Sequence, residues 1–432
     1  MKVYTFPRGG ISFEDPTAPA GNSAEIAFLP GLSVIPLTQY PGGRAVPTVG
    51  VGDRVREGML IGRAGRGSAN VHATVPGKVI RLVSWAGAGA LVNEALVIRM
   101  EGSFELLGKR EIRYPLKDLS PFELRRLISD YGIVEMEGEG KPVAELLLNQ
   151  LKLKGDSTLV VRCVFDDPWL AADMTLCRKR LGDVVEGALI AARAGGIKRL
   201  LFAVSRGEKE LGAELLAEAE RADFPASLVL VGGRYPQRNR RELELVLRNY
   251  EKREGVFLGS LLILGPATLA AIRDAVALRR PILDRYVAVG GSAVKNPQVM
   301  RVRLGTRIGE LFAECGGFVD RPARIATGSP FLGRPVADLD EPVTKTSYAV
   351  FAMLERPAVS APGGACISCG ECRAVCPVGF DPEELYKQVR GGEGLFAAGE
   401  SGICHGCGCC ELVCPSHLPL SETLTGLSGR VN

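Results

Sequence analysis

The sequence predicts a multidomain chain of mixed α/β and α+β architecture, and three observations carry that expectation. The chain has 432 residues, enough for about two to four domains of ordinary size. Hydrophobic residues make up 46% and charged residues 24%, globular usage that excludes a disordered or collagen-like chain. The patterning also changes along the chain. Gly- and Val-rich alternating runs give way to apolar runs interleaved with amphipathic stretches, and then to a segment dense in cysteine.

The elements follow in order. Val46–Gly62 (V-P-T-V-G-V-G-D-R-V-R-E-G-M-L-I-G) and Val71–Val83 (V-H-A-T-V-P-G-K-V-I-R-L-V) read as short strands broken at Gly turns. The fragment V-G-D-R-V-R-E-G followed by P-G-K-V resembles the biotinyl/lipoyl-like barrel-sandwich hybrid. No D-K-A or M-K-M hairpin tip is present, so a lipoyl-type carrier role is not expected. Tyr114-Pro115 reads as a linker. Ser120, Pro121 and Glu123 then supply an N-cap, a first-turn proline and a capping-box carboxylate, predicting a helix that runs to about Tyr131 and stops at Gly132.

From Thr158 the apolar runs Leu159–Phe165, Leu200–Val204, Leu228–Val231 and Val256–Leu264 alternate with amphipathic stretches such as Met174–Ala194, which ends at Gly195-Gly196. That alternation predicts an α/β layer with a mostly parallel sheet. Tyr286–Val289, Val299–Leu304 and a helix starting at Thr306 predict a small β/α module. Short helices are expected around Pro382–Val389 and at the second cysteine run.

Gly255–Ile272 is 18 residues without a charge, close to the lower limit for a membrane-spanning helix. Gly259, Ser260, Gly265 and Pro266 interrupt it, so a buried strand and a helix opened by Pro266 explain it better. No transmembrane helix is expected. The N-terminal M-K-V-Y-T-F-P-R-G-G has no apolar h-region, and no signal peptide is expected. Lys and Arg number 53 against 49 Asp and Glu, a net charge of +4, too mild to point to nucleic acid as a partner. Phe351–Asn432 holds five Lys/Arg and nine Asp/Glu, a net of −4, leaving +8 on the rest.

Nine of the 12 cysteines fall between Cys366 and Cys414. Disulfide scaffolds are short and secreted, so the cluster points to metal binding in a reducing compartment. C-I-S-C-G-E-C-R-A-V-C-P places Cys366, Cys369, Cys372 and Cys376 before Pro377; C-H-G-C-G-C-C-E-L-V-C-P places Cys404, Cys407, Cys410 and Cys414 before Pro415. Both copies fit C-x2-C-x2-C-x3-C-P, the spacing of bacterial two-cluster ferredoxins. Three close cysteines wrap one face of a cubic cluster, while the fourth has entered a helix that points away and ligates the other. The expected ligands are Cys366, Cys369, Cys372 and Cys414 for the first 4Fe–4S cluster, and Cys404, Cys407, Cys410 and Cys376 for the second. Zinc ribbons also use C-x2-C pairs but not this doubled register. Cys409 breaks the register and reads as a free thiol. Cys163, Cys177 and Cys315 read as buried small hydrophobes, and His405 and His417 are not expected as ligands.

The cysteine repeat preceded by L-D-E-P-V-T-K-T (Leu339–Thr346) resembles the RnfC family of the Rnf-type ion-translocating electron-transport complexes. G-G-S-A-V-K-N-P (Gly290–Pro297), R-Y-P-Q (Arg234–Gln237) and S-A-N-V-H-A-T-V-P-G (Ser68–Gly77) extend the resemblance over nearly the whole chain. It implies a barrel-sandwich hybrid over residues 1–113, a Rossmann-like flavoprotein-type domain over 114–283, a β-grasp domain of the soluble-ligand-binding type over 284–348, and a two-cluster ferredoxin-like domain over 349–432. It also implies a peripheral subunit on the cytoplasmic face of the cell membrane, partnered by the other subunits of an Rnf-like complex.

One departure from the family is concentrated at its flavin site. Where the family shows G-I-V-G-L-G-G-A-G-F-P-T, a loop that cradles flavin phosphate near the nicotinamide site, this chain has G-I-V-E-M-E-G-E-G-K-P-V (Gly132–Val143). Glu135, Glu137 and Glu139 stand for Gly, Gly and Ala, and carboxylates repel a phosphate that bare amides would bind. A second family element, E-C-E-P-Y, appears as F-D-D-P-W (Phe165–Trp169). Gly138, Gly140 and Asp167 are what remains of a vestigial flavin and nucleotide site, so neither FMN binding nor NADH oxidation by this subunit is expected. A reduced ferredoxin or flavodoxin is then the expected donor. Arg234, Arg238, Arg240, Arg241 and Arg248 are read as a solvated basic helix face, with a dock for that carrier as the alternative. Competing readings are a soluble flavin-dependent reductase of the cobalamin-reductase type, which needs a working flavin loop, and a zinc-bound interaction scaffold.

Overall fold

The computed structural model describes residues 2–12, 14–39, 43–65, 67–86, 92–153, 155–329, 333–354, 364–391, 404 and 406–428. In its N-terminal unit, strands β3 (Leu32–Pro36), β5 (Arg54–Val55), β8 (Gly77–Ala86) and β9 (Val92–Met100) form one sheet in the order β3-β9-β8-β5; β4 (Val46–Pro47), β6 (Leu60–Arg63) and β7 (Val71–His72) form another. Ile35, Val55, Ile61, Val71, Val79, Leu96 and Ile98 are buried together between the two sheets. The alternation with Gly breaks predicts the short strands, and their two-sheet packing is the sandwich that the resemblance implies.

Helix α1 (Pro121–Asp130) opens with the expected capping box: the Ser120 hydroxyl accepts from the Glu123 N–H, and the Ser120 N–H donates to the Glu123 carboxylate at 2.7 Å. After α2 (Val143–Lys152) comes the α/β layer. Strands β10 (Ser157–Cys163), β11 (Leu200–Ser205), β12 (Ala226–Val231) and β13 (Ser260–Leu264) pair in parallel, with the order β12-β11-β10-β13. The chain order reverses at β10, so the gap between β10 and β13 is the topological switch point. In open parallel sheets ligands bind there, outside the carboxyl ends of the strands. Helices α5 (Lys209–Arg221), α6 (Arg240–Glu254) and α7 (Pro266–Ala277) complete the layer. The strand β13 and the Pro266 helix replace any spanning segment, and no helix among the described residues is long and apolar enough to cross a membrane.

Two expectations are corrected here. Met174–Ala194 is not one amphipathic stretch but parts of two helices, α3 (Ala171–Lys179) and α4 (Leu181–Gly195). The chain breaks at Arg180, whose guanidinium turns out to Asp183 at 2.7 Å and to both oxygens of Asp274 on α7 at 3.0 and 2.7 Å. The run from Val256 begins pairing only at Ser260.

The third sheet combines β2 (Glu25–Ile26), β14 (Asp284–Gly290), β15 (Gln298–Arg303), β16 (Arg324–Thr327), β17 (Arg334–Pro335) and β18 (Ala349–Met353) in the order β17-β16-β18-β14-β15-β2, with helix α8 (Ile308–Glu314) beside it in the chain. The helix expected at Thr306 therefore starts two residues later. Strand β18 pairs with β14 and β16, so this sheet runs past residue 348. The first strands also leave the sandwich: β1 (Val3–Tyr4) pairs with β12, and β2 with β15.

The C-terminal unit holds short helices α9 (Glu371–Val375), α10 (Pro382–Arg390), α11 (Cys409–Leu412) and α12 (Leu420–Ser428).

Candidate functional site

The two cysteine copies fold as local equivalents. Gly370 and Gly408 sit two residues before Cys372 and Cys410, both in the left-handed region at φ 77° and 79°, and each starts a short helix carrying the third cysteine. The fourth cysteines also match: the Cys376 sulfur accepts the Phe380 N–H at 3.3 Å and the Cys414 sulfur the Leu418 N–H at 3.5 Å.

The copies exchange their last cysteine. Cys366, Cys369, Cys372 and Cys414 line one cavity of about 330 Å³, with Ile367, Leu418 and Leu420. Cys376, Cys404, Cys407 and Cys410 line a second of about 370 Å³, with Phe380, Pro382 and Leu424. The structure thus brings together both of the foursomes expected from the repeat. Cys409 is also on the second cavity and buried, its sulfur 4.0 Å from the Tyr235 carbonyl oxygen. Among the described residues no three His, Cys, Asp or Glu side chains converge where a single ion would sit. His405 lies outside the described residues. His417 turns the chain after Cys414, its N–H donating to the Cys414 carbonyl at 3.0 Å.

The second cavity faces the α/β layer. The Tyr235 hydroxyl donates to the Cys407 carbonyl at 2.8 Å, and the Gly10 N–H to the Val375 carbonyl at 2.8 Å. Gly9 has φ +63°, and a Cβ there would stand 2.6 Å from the Cys376 carbonyl carbon and oxygen, so only glycine permits this approach. The first cavity lies toward solvent, with Cys369 exposed and Ile367 66% exposed.

At the switch point the crevice is narrow, about 190 Å³, and lined by Glu137, Arg162, Val164, Phe165, Leu170, Asp173, Arg238 and Pro266. The loop from Gly132 folds back through a Val134–Pro142 bridge and carries Glu137 inward. The Glu137 carboxylate accepts the Ala267 N–H, the Thr268 N–H at 3.2 Å and the Thr268 hydroxyl, all in the first turn of α7. Its own carbonyl accepts from Arg162 at 2.9 Å and Arg238 at 3.1 Å. Burial lowers the Arg162 pKa and raises that of Glu135. Asp166 accepts the Arg238 N–H at 2.9 Å, and burial lifts its pKa to about 6.

The vestigial residues do not rebuild a flavin cradle. A Cβ on Gly138 would lie 2.3 Å from the Glu135 carboxyl carbon, so that side chain already covers the loop. Gly140 takes φ +78° beside the surface pair Glu139–Lys141 at 2.7 Å. Asp167 caps the turn Pro168–Leu170, accepting the Trp169 N–H at 3.0 Å, and is absent from the crevice lining. Two carboxylates therefore occupy the loop where a flavin phosphate would need bare amides, and these residues do not fit the group.

The basic run is corrected as well. Arg234 and Arg238 precede α6 and are structural: Arg234 donates to the Gly9 and Phe6 carbonyls at 2.6 and 2.8 Å, and Arg238 enters the crevice. Arg240 and Arg248 pair with Glu244 and Glu251 on α6 itself. Glu242 is buried, which raises its pKa to about 7. Cys163 and Cys177 are not isolated from each other; their sulfurs lie 3.7 Å apart in the core. Cys315 is buried near Met300. Nothing in the one-dimensional pattern pairs residues 137 and 267, so sequence reading found the Glu137 charge but not its place.

Comparison with known families gives three matches: the RnfC barrel sandwich hybrid domain over residues 5–103, the Nuo51 FMN-binding domain over 128–256, and the SLBB domain over 286–337. In solved structures, the fold resembles a chain of the NAD+-reducing NiFe hydrogenase in its H2-reduced state, with a TM-score of 0.51 and 15% identity, over 72% of this chain and 62% of that one. The C subunit of the proton-translocating ferredoxin:NAD(+) oxidoreductase complex of Clostridium ljungdahlii is 29% identical over 385 residues, 88% of this chain and 83% of the relative. Its counterpart in the ion-translocating oxidoreductase complex of Rhodobacter capsulatus is 31% identical over 372 residues, 84% of this chain and 71% of the relative. With that sandwich, α/β layer and β-grasp sheet in family order, the chain belongs to the RnfC family of the Rnf-type ion-translocating oxidoreductase complexes.

Proposed function

We propose that this chain relays electrons through two 4Fe–4S clusters in an Rnf-like complex that couples redox chemistry to ion translocation, and that it does so without a flavin of its own. The observation that carries the reading is the crossed register: each of two separate cavities is lined by three thiols of one copy and the last thiol of the other, with Cys409 as a fifth on the second. A 4Fe–4S cluster supplies one-electron storage when bound and requires four thiolates spread over a cube. The arrangement suits a cube better than a zinc ion, which draws its ligands to within about 2.3 Å of one point.

The chain's own residues hold and shield. Cys366, Cys369, Cys372 and Cys414 would hold the first cluster, and Cys404, Cys407, Cys410 and Cys376 the second. Phe380 and Leu424 give the second site an apolar wall, and Leu418 and Leu420 give the first one on its inner side. A dry wall around a cluster is one of the terms that set its potential. The partners are the other subunits of the complex, at the cytoplasmic face of the membrane, and the donor is a small reduced carrier such as ferredoxin or flavodoxin. The filled loop at Glu137 supports that donor over NADH.

Anaerobic purification with iron, sulfide and flavin quantified together tests the reading. The expected result is about eight irons and eight sulfides per chain with no stoichiometric flavin. Colourless protein, EPR-silent after dithionite, overturns the cluster assignment; one FMN per chain, with NADH reducing the clusters, overturns the flavin-free part.

A further inference from the structure

We infer that Glu137 is a resident anion: its carboxylate fills, from within the chain, an anion site at the topological switch point that would otherwise accept a phosphate monoester such as FMN. The inference rests on the flavin-free reading above and supplies its cause. It is carried by the coincidence of three independent placements at one point.

The first is the helix end. Pro266–Ala277 is 12 residues long, and its N-cap, Gly265, has no side chain with which to cap it. The Glu137 carboxylate takes the Ala267 and Thr268 amides and the Thr268 hydroxyl instead. Peptide amides at a helix start carry positive potential and suit phosphate oxygens as well as they suit a carboxylate. The second is position in the fold, since this helix follows β13 at the point where the strand order reverses, the default ligand crevice of such sheets. The third is the cationic wall. Arg162, 8% exposed, and Arg238 both line the same crevice and spend donors on the Glu137 carbonyl, where they also face its charge.

The plug is steric as well as electrostatic. A Cβ on Gly265 would lie 2.4 Å from the Glu137 carboxyl carbon, so the carboxylate is pressed against bare backbone. That contact leaves no room for a second anion while Glu137 is in place. Glu135, in the same loop, is folded over Gly138.

The test uses the full chain, purified anaerobically, as wild type and as Glu137→Gly and Glu137→Ser. Two small replacements are used so that the failure of one to fold does not end the experiment. Iron content and thermal midpoint establish that each variant is folded. FMN is titrated against each protein by quenching of its fluorescence, and inorganic phosphate is titrated in competition. The expected result is a gain of roughly ten-fold or more in FMN affinity in a folded variant over wild type, reversed by phosphate. A gain that phosphate does not reverse counts against an anion site. Folded variants that bind FMN no better than a flavin-free wild type overturn the inference and leave the relay intact. Wild type isolated with stoichiometric FMN overturns the flavin-free reading itself.

Discussion

Cys409 separates the two ways a cysteine can sit beside a cluster cavity. It lines the second cavity with four other thiols, but the repeat aligns it with Glu371 and aligns Cys407 and Cys410 with Cys369 and Cys372. Cys409→Ser is therefore expected to keep the iron content of wild type, whereas Cys410→Ser loses about half of it; iron analysis of the two anaerobic variants decides. Lys345 is a second residue with a measurable signature. Its ammonium is buried at the meeting of the sandwich and the α/β layer, donating to the Asn70 and Gly132 carbonyls at 3.0 and 2.8 Å. Burial depresses its pKa from 10.5 to about 7. Between those values the unfolded chain holds a proton that the folded chain lacks, so stability rises with pH across that window by up to about 1.4 kcal/mol per unit. His72, nearby, is held neutral by burial with a pKa of about 3, and contributes no slope there. Lys345→Met should remove the rise, as denaturant midpoints at pH 7.5 and 9.5 (roughly the two ends of the window) would show; an unchanged slope assigns it elsewhere.

Elements show which parts of the fold were legible in advance. Strands β10, β11 and β12 were readable because each holds a run of apolar residues, interrupted in β10 by Arg162, and α1 because its capping box is written within four residues. The break at Arg180 was not, since it depends on Asp274, 94 residues away. Nor were β1 and β2, two residues each, whose partners lie on strands from other parts of the chain. The eight cysteines were legible as a repeat because spacing alone carries their geometry. The Glu137 cap was invisible for the same reason as Arg180: its partners are distant in sequence. One glycine inside a helix makes the point quantitatively. On α4, a Cβ at Gly187 would lie 1.9 Å from the Leu269 carbonyl oxygen on α7, so α4 and α7 cross at backbone contact. Gly187→Ala gains intrinsic helix propensity of about 1 kcal/mol, yet the clash outweighs it. The expected outcome is a net destabilisation of about 1–3 kcal/mol, read from denaturant unfolding; a stabilised variant would mean that the helices separate without cost.

For the whole molecule, the arrangement of the two cavities gives the proposed relay an order. The second is clamped to the α/β layer by Tyr235 and by the glycines at the N-terminus, so it is the inner site. The first has an exposed thiol and the exposed Ile367 beside it, so it is where a protein carrier can come closest. Electron exchange with an external carrier should then depend unequally on the two sites. Cys369→Ser, which removes a ligand from the outer site, is expected to slow reduction by ferredoxin or flavodoxin by roughly ten-fold or more, while dithionite, a small reductant, still reduces the inner cluster. Cys404→Ser, which removes a ligand from the inner site, should leave the carrier reaction fast for the single cluster that remains. Stopped-flow reduction of the two variants compares them directly, with iron content confirming that each has lost one cluster. Equal slowing in both, or a slower reaction in Cys404→Ser, would place the carrier against the α/β layer instead, and the inner site would then be the port.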